Sequence, residues 1–256
     1  MILRMCRSFL ILEMDVKVYK RPIVITFLGF LYTMQIDLQV RKTRMSETSV
    51  LVAKVATMLE MQNEMNSRVD INWIDKNREW YRAIWIECAE LMDHFGHWKW
   101  WKHSSTDLPQ VVLEIVDIWH FGLSLKLTQS KNSSNLAEEI ASDWNSQVDD
   151  FEFLDGVEKI ALDALHNKEF NAALVRELLL KCGADFNTLY RNYVGKNVLN
   201  LFRQENGYKD GTYKKIWNGE EDNEVLARLM LDMNSDSDSF VTEVHKILEL
   251  NYPSTD

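Results

Sequence analysis

Two acidic pairs spaced three residues apart, Glu87 with Glu90 and Glu114 with Asp117, are the residues of this chain best placed to do chemistry. Residues three apart on an α-helix share a face with about 5–6 Å between them, so each pair aims two carboxylates at one point. Two such helices packed face to face would gather four carboxylates. That much negative charge persists at neutral pH only if cations neutralise it or one carboxyl takes up a proton. Carboxylate oxygens with no nearby thiolate suit magnesium or manganese rather than zinc.

The surroundings turn the pairs inward. Ile84, Cys88, Leu91 and Met92 form an apolar face around the first pair, and nearly every residue of 111–121 except the two acids is apolar. Acids are almost never fully buried unless paired or metal-bound, so a Glu and an Asp in so greasy a helix require a partner. The elements that must position them are helices. Three Pro and nine Gly in 256 residues give strand-and-turn architectures little support, and the expected fold is all-α, a multi-helix bundle with a short N-terminal appendage. Hydrophobic periodicity predicts helices over about 49–66, 76–94, 108–130, 136–145, 151–166, 171–182, 184–205, 222–230 and 239–250, with a polar loop at 131–135.

Composition excludes several functions. A net charge of −10 argues against binding a nucleic-acid polymer, whose phosphates need a basic surface. Cys6, Cys88 and Cys182 show neither metal-ligand spacing nor an even disulfide framework, which fits a reducing cytoplasm. Residues 1–44 read differently from the rest. The apolar run around 23–32 is too short for a membrane span of roughly 20 residues and too late for a signal peptide. A β-prone or disordered appendage and a natural start at Met45 both remain open, with an all-α domain over 45–256.

Ordered blocks around the acids carry a family resemblance. They are Gln62-Asn63-Glu64-Met65-Asn66, Glu87-Cys88-Ala89-Glu90, Trp98-Lys99-Trp100-Trp101-Lys102 and Glu114-Ile115-Val116-Asp117. Ile118-Trp119-His120-Phe121-Gly122 follows, then 195–203 and Gly207-Tyr208-Lys209-Asp210-Gly211-Thr212-Tyr213. Together they resemble the dimeric all-α dUTPases, relatives of the MazG-type nucleotide pyrophosphohydrolases. The likeness covers most of 51–223. It implies a homodimer that hydrolyses dUTP, and dUDP as well, to dUMP, releasing pyrophosphate from dUTP by attack of a metal-activated water on the β-phosphorus. By the same likeness Glu87, Glu90, Glu114 and Asp117 are metal ligands for Mg2+ or Mn2+, and Glu87 accepts the water's proton.

Substrate choice needs other groups. Carboxamides such as Gln62 and Asn66 present both a donor and an acceptor to the edge of uracil, and a cytosine would leave those bonds mismatched. The resemblance places Phe121 on the base, and His120 or a Trp of the cluster with Trp100 and Trp101 against the sugar. Tyr193, Lys196, Asn200, Arg203 and Lys209 resemble the phosphate-contacting set, cations being what a triphosphate requires. Gly207 and Gly211 would let the loop after that helix close over the phosphates.

Plainer readings compete with each assignment. A Glu-x-x-Glu pair alone is usually a solvated helix face, clustered Trp residues usually pack a core, and a lone His on an apolar face is usually a satisfied core residue. His94, His97 and His103 lack the helix-face spacing of a zinc site, and residues 207–212 lack the Gly-Lys-Ser/Thr ending of a P-loop. Two alternatives stand beside dUTP hydrolysis: a related pyrophosphohydrolase of different or broader base preference, and a helical phospholigand-binding protein without turnover.

Overall fold

The computed structural model describes residues 22–130 and 135–253. Its described helices are α1 (Pro22–Val69), α2 (Trp80–Phe95), α3 (Leu108–Ser130), α4 (Leu136–Trp144), α5 (Phe153–Leu162), α6 (Ala172–Lys181), α7 (Phe186–Glu205), α8 (Asp222–Leu229) and α9 (Phe240–Asn251). A one-turn π-helix, Asp163–Asn167, extends α5, and a two-residue hairpin, β1 (Ile216–Trp217) against β2 (Glu220–Glu221), precedes α8. The hairpin turns at Asn218 and Gly219, both with positive φ, the Asn-Gly dipeptide that a two-residue turn favours. The fold is all-α. The chain divides into two compact units, 1–49 and 50–256.

The sequence leaves the structure of the N-terminal appendage open. Where a β-prone segment was one expectation, the chain is helical from Pro22. Proline is preorganised for the first turn of a helix, and no second proline interrupts the 48 residues that follow its start. Residues 1–21, with Cys6, lie outside the described residues, as does most of the 131–135 loop. The second helix also starts later than predicted. Residues 70–77 form successive turns ending at Asn77, whose φ of 46° no α-helix accommodates.

The second unit is organised around α3. Val111, Ile115, Ile118, Trp119 and Leu123 are all fully enclosed, and a helix buried nearly all round belongs at the centre of a bundle. Its most extensive partner is α2, which offers Ile84, Cys88 and Leu91 at i, i+4 and i+7. Each such aliphatic side chain contributes about 1.5–3 kcal/mol on burial. The contacts Trp80 with Phe121 and His94 with Glu114 run in opposite chain directions, so the two helices are antiparallel. On α7, Asp185 caps the N-terminus by accepting the Thr188 N–H at 2.8 Å. Tyr193 and Val194 of α7 are fully buried. Among the described residues, no helix is long and apolar enough to cross a membrane.

Candidate active site

The seam between α2 and α3 brings the acids together. One carboxylate oxygen each from Glu87, Glu90 and Glu114 lies within 4.8 Å of the others. Glu114 is buried, Glu87 half-buried and Glu90 exposed, so the group opens on the Glu90 side. Asp117 stands one turn along α3, where Lys196 of α7 holds its carboxylate in an ion pair. His94, dismissed in the sequence as a zinc ligand, places Nε2 3.5 Å from Glu114. Only the α2–α3 packing could have revealed that neighbour.

The electrostatics are those of an unbalanced cluster. Burial first, then the charge of Asp117, a hydrogen bond with Glu114 and the charges of Glu114 and Glu90 push the Glu87 carboxyl up to about 8. Burial raises Glu114 as well, and the charge of Asp117 adds to it, although its bond to Glu87 and the nearby Lys196 oppose the shift. At neutral pH the free cluster therefore holds a proton on Glu87, shared with Glu114. A divalent cation would displace it.

A second group of predicted residues forms a buried polar chain. Gln62 and Asn66, one turn apart on α1, are linked by a 3.2 Å bond from Gln62 Nε2 to Asn66 Oδ1. Asn66 Nδ2 donates to Ser124 Oγ at 2.9 Å, and that hydroxyl donates to the His120 carbonyl. At the other end the Tyr193 hydroxyl lies 2.7 Å from the Met58 carbonyl and 2.9 Å from Gln62 Oε1. The Met58 carbonyl lies within α1, where it also serves the helical ladder, so the phenolic proton is free to settle on Gln62 Oε1. His120 stacks on Tyr193 with centroids 4.1 Å apart. Burial lowers its pKa to about 4, against the opposing charge of Asp117. The neutral ring lies with Nδ1 2.9 Å from the Val116 carbonyl, which makes Nδ1 the protonated nitrogen and leaves Nε2 a buried acceptor without a partner.

The aromatic predictions divide. Phe121 lies one turn beyond Asp117 on α3, and Trp80 stacks against it at 6.2 Å. Trp100 is 89% and Trp101 61% exposed, and their rings meet each other edge to face in the loop between α2 and α3. The structure does not place either beside the acids. Core packing, the plain expectation for clustered Trp, does not describe them.

The predicted phosphate set lies along α7. Lys196, Asn200 and Arg203 follow at i, i+4 and i+7 and so share a face that begins at Asp117. Arg203 is more committed than its predicted role required. Nε and Nη2 grip the two oxygens of Asp222 at 2.8 Å each, Nη1 donates to Asn200 Oδ1 and Nη2 to Asn223 Oδ1. Lys209 sits in the loop after α7 with Nζ 3.3 Å from the Arg68 carbonyl. Asp222, Asn223 and Tyr213 are the residues the sequence reading missed. One concavity, of about 660 Å³, is lined by Leu59, Asn63, Trp73 and Leu127 among others and by none of the predicted site residues.

A family model described as dUTPase matches residues 54–208, from the buried half of α1 to the loop after α7. The chain belongs to the dUTPase family. No curated protein matches the chain. A dUTPase is a hydrolase of dUTP, and this dUTPase has its acids, its carboxamides and the α7 cations inside the matched span. Asp222 and Tyr213 of the dUTPase lie beyond it.

Proposed function

We propose that the protein hydrolyses dUTP to dUMP and pyrophosphate, and dUDP to dUMP, in a magnesium-dependent reaction at the α2–α3 seam. The observation that carries this reading is the cluster of Glu87, Glu90 and Glu114, an all-oxygen donor set in which burial, and then the charges of its acidic neighbours, raise the Glu87 carboxyl. Such a set fits Mg2+ or Mn2+. When bound, the cation supplies the charge that lets carboxylates and phosphates approach and acidifies the attacking water. Glu87, Glu90, Glu114 and Asp117 would hold it, and Glu87 would accept the proton of the water that attacks the β-phosphorus.

The remaining residues sort along the substrate. Lys196 lies between Asp117 and the rest of the α7 face, where it would exchange its carboxylate partner for a phosphate oxygen. Asn200, Lys209 and the outer edge of Arg203 would extend that contact. At the other end Gln62, whose Oε1 the Tyr193 hydroxyl reaches, would favour uracil. Uracil N3 carries a proton to donate, and cytosine N3 does not, so only the former satisfies Gln62. His120 Nε2 would accept from a sugar hydroxyl, Phe121 would stack on the base, and Trp100 or Trp101 would reach the sugar from the exposed loop. The active species in this reading is a homodimer, and the exposed Trp loop offers surface for the pairing.

Pyrophosphate release from dUTP, dCTP, dTTP and UTP, each with magnesium and with chelator, tests the whole reading. Turnover of dUTP alone, abolished by chelator, is the expected result. Comparable turnover of all four would instead establish the broader pyrophosphohydrolase, and turnover in chelator would remove the metal.

A further inference from the structure

The two ends of the loop after α7 are fastened to the two partners of one ion pair, Arg203 and Asp222. At its start, Tyr208 N–H donates to the Arg203 carbonyl at 3.0 Å. At its end, Tyr213 donates its hydroxyl at 2.8 Å to Asp222 Oδ2, the same carboxylate that Arg203 grips with two N–H groups. Asp222 is fully enclosed, and its own N–H donates to the Lys215 carbonyl at 3.0 Å. Between these anchors Gly207 and Gly211 take left-handed φ of 87° and 71°, and any side chain at Gly207 would collide with Thr212. The loop is thus a closed bight that presents Tyr208 and Lys209.

The same carboxylate also orients the α7 face. Four of the five Arg203 N–H groups are engaged, two of them by Asp222. Held in that plane, the guanidinium fixes the Asn200 carboxamide through Nη1 at 3.0 Å. Asn200 lies one turn from Lys196, which reaches the acids through Asp117. Hydrogen bonds thus join Asp222, Arg203 and Asn200, and Asn200 shares its helix face with the Lys196 that pairs with Asp117.

We infer that Asp222 is a positioning residue for the polyphosphate of the substrate, acting through Arg203 on Asn200 and through Tyr213 on the loop that carries Lys209. The inference rests on the reading that α7 and this loop bind the phosphates. Asp222 touches no substrate in it. Its carboxylate sets the direction of groups that do, and the geometry of a bidentate pair makes that direction specific.

The test is steady-state kinetics of Asp222→Asn with dUTP and magnesium, together with competitive inhibition by deoxyuridine, which has no phosphate. A rise in KM for dUTP on the order of ten-fold, with kcat changed by less than about two-fold and deoxyuridine inhibition unaltered, is expected. An unchanged KM overturns the inference, and so does a parallel loss of deoxyuridine binding, which would mean general damage to the fold. Tyr213→Phe removes a single bond to the same carboxylate, and a smaller rise in KM carries the test if Asp222→Asn does not fold; no rise there overturns it. Lys209→Ala separates the two layers. If it raises KM and Asp222→Asn does not, only the positioning role falls. If neither moves KM, the phosphate reading falls with it.

Discussion

In the α2–α3 seam, Glu87 is pushed up to about 8 by burial and by the charges of its acidic neighbours, whereas Asp222, more deeply enclosed, is held below the usual carboxylate range. Burial alone would raise Asp222 too, but the hydrogen bonds from Arg203 and Tyr213 outweigh it. The first cluster gathers three acids around a point with no cation from the protein at its centre. The second matches its carboxylate, donor for acceptor, with the fold's own groups. A buried charge whose partner is built in is finished as structure, while one whose partner is missing is prepared for something that arrives.

The largest expected effect breaks the first cluster without touching the second. Glu87→Gln should reduce dUTP turnover by about 10³-fold or more, since a proton acceptor is typically worth 10²–10⁴. Stability of the metal-free protein should change by no more than about 0.5 kcal/mol, because the amide replaces a carboxyl that is already neutral at pH 7. Pyrophosphate release and urea unfolding read the two quantities. A large loss of stability would show that Glu87 is structural after all and erase the contrast.

Asp222→Asn should behave in the opposite way. Removing the charge strands Arg203 in a largely enclosed site, and breaking a buried pair from one side costs about 3–5 kcal/mol. The same unfolding experiment should show that loss while turnover at saturating dUTP persists. A variant as stable as the parent would mean that the ion pair contributes nothing net, and the comparison would then rest on function alone.

The two clusters were unequally legible in the sequence. Helix α3 was readable to its ends because its apolar period continues through Gly122 and no Pro follows the first turn. The acids were readable because their spacing is local and their neighbours are apolar. Asp222 was not. It sits in the run Glu220-Glu221-Asp222-Asn223, which reads as a solvated acidic turn, and its partner is nineteen residues away. Gln62 and Asn66 fall between these cases. Their spacing showed a shared face, but the Tyr193 and Ser124 partners that bury them come from two other helices. Trp100 and Trp101 misled in the other direction, since size and apolarity suggest a core that the loop never reaches.

Gln62 gives a smaller and sharper test of the base end of the site. Gln62→Ala removes one claimant for the Tyr193 proton and the group proposed to take the uracil N3–H. The ratio of kcat/KM for dUTP over dCTP should fall on the order of a hundred-fold. An unchanged ratio would mean that the Gln62 carboxamide, bonded to Tyr193 and Asn66, serves the fold and not the base.

The smallest effect concerns acid. The folded-state pKa of Asp222 is lowered, so its carboxylate contributes stability that is fully present above the unfolded value of about 3.9 and is lost as pH falls through the folded value. Asp222→Asn has no such group to titrate. The difference in unfolding free energy between parent and variant should therefore stay constant from neutral pH down to about pH 4 and close below it, because every other titrating group is common to both chains. A gap that begins to close near neutral pH would place Asp222 among the raised carboxyls with Glu87. The two clusters would then share one electrostatic logic, and the satisfied geometry around Asp222 would no longer distinguish a structural acid from a waiting one.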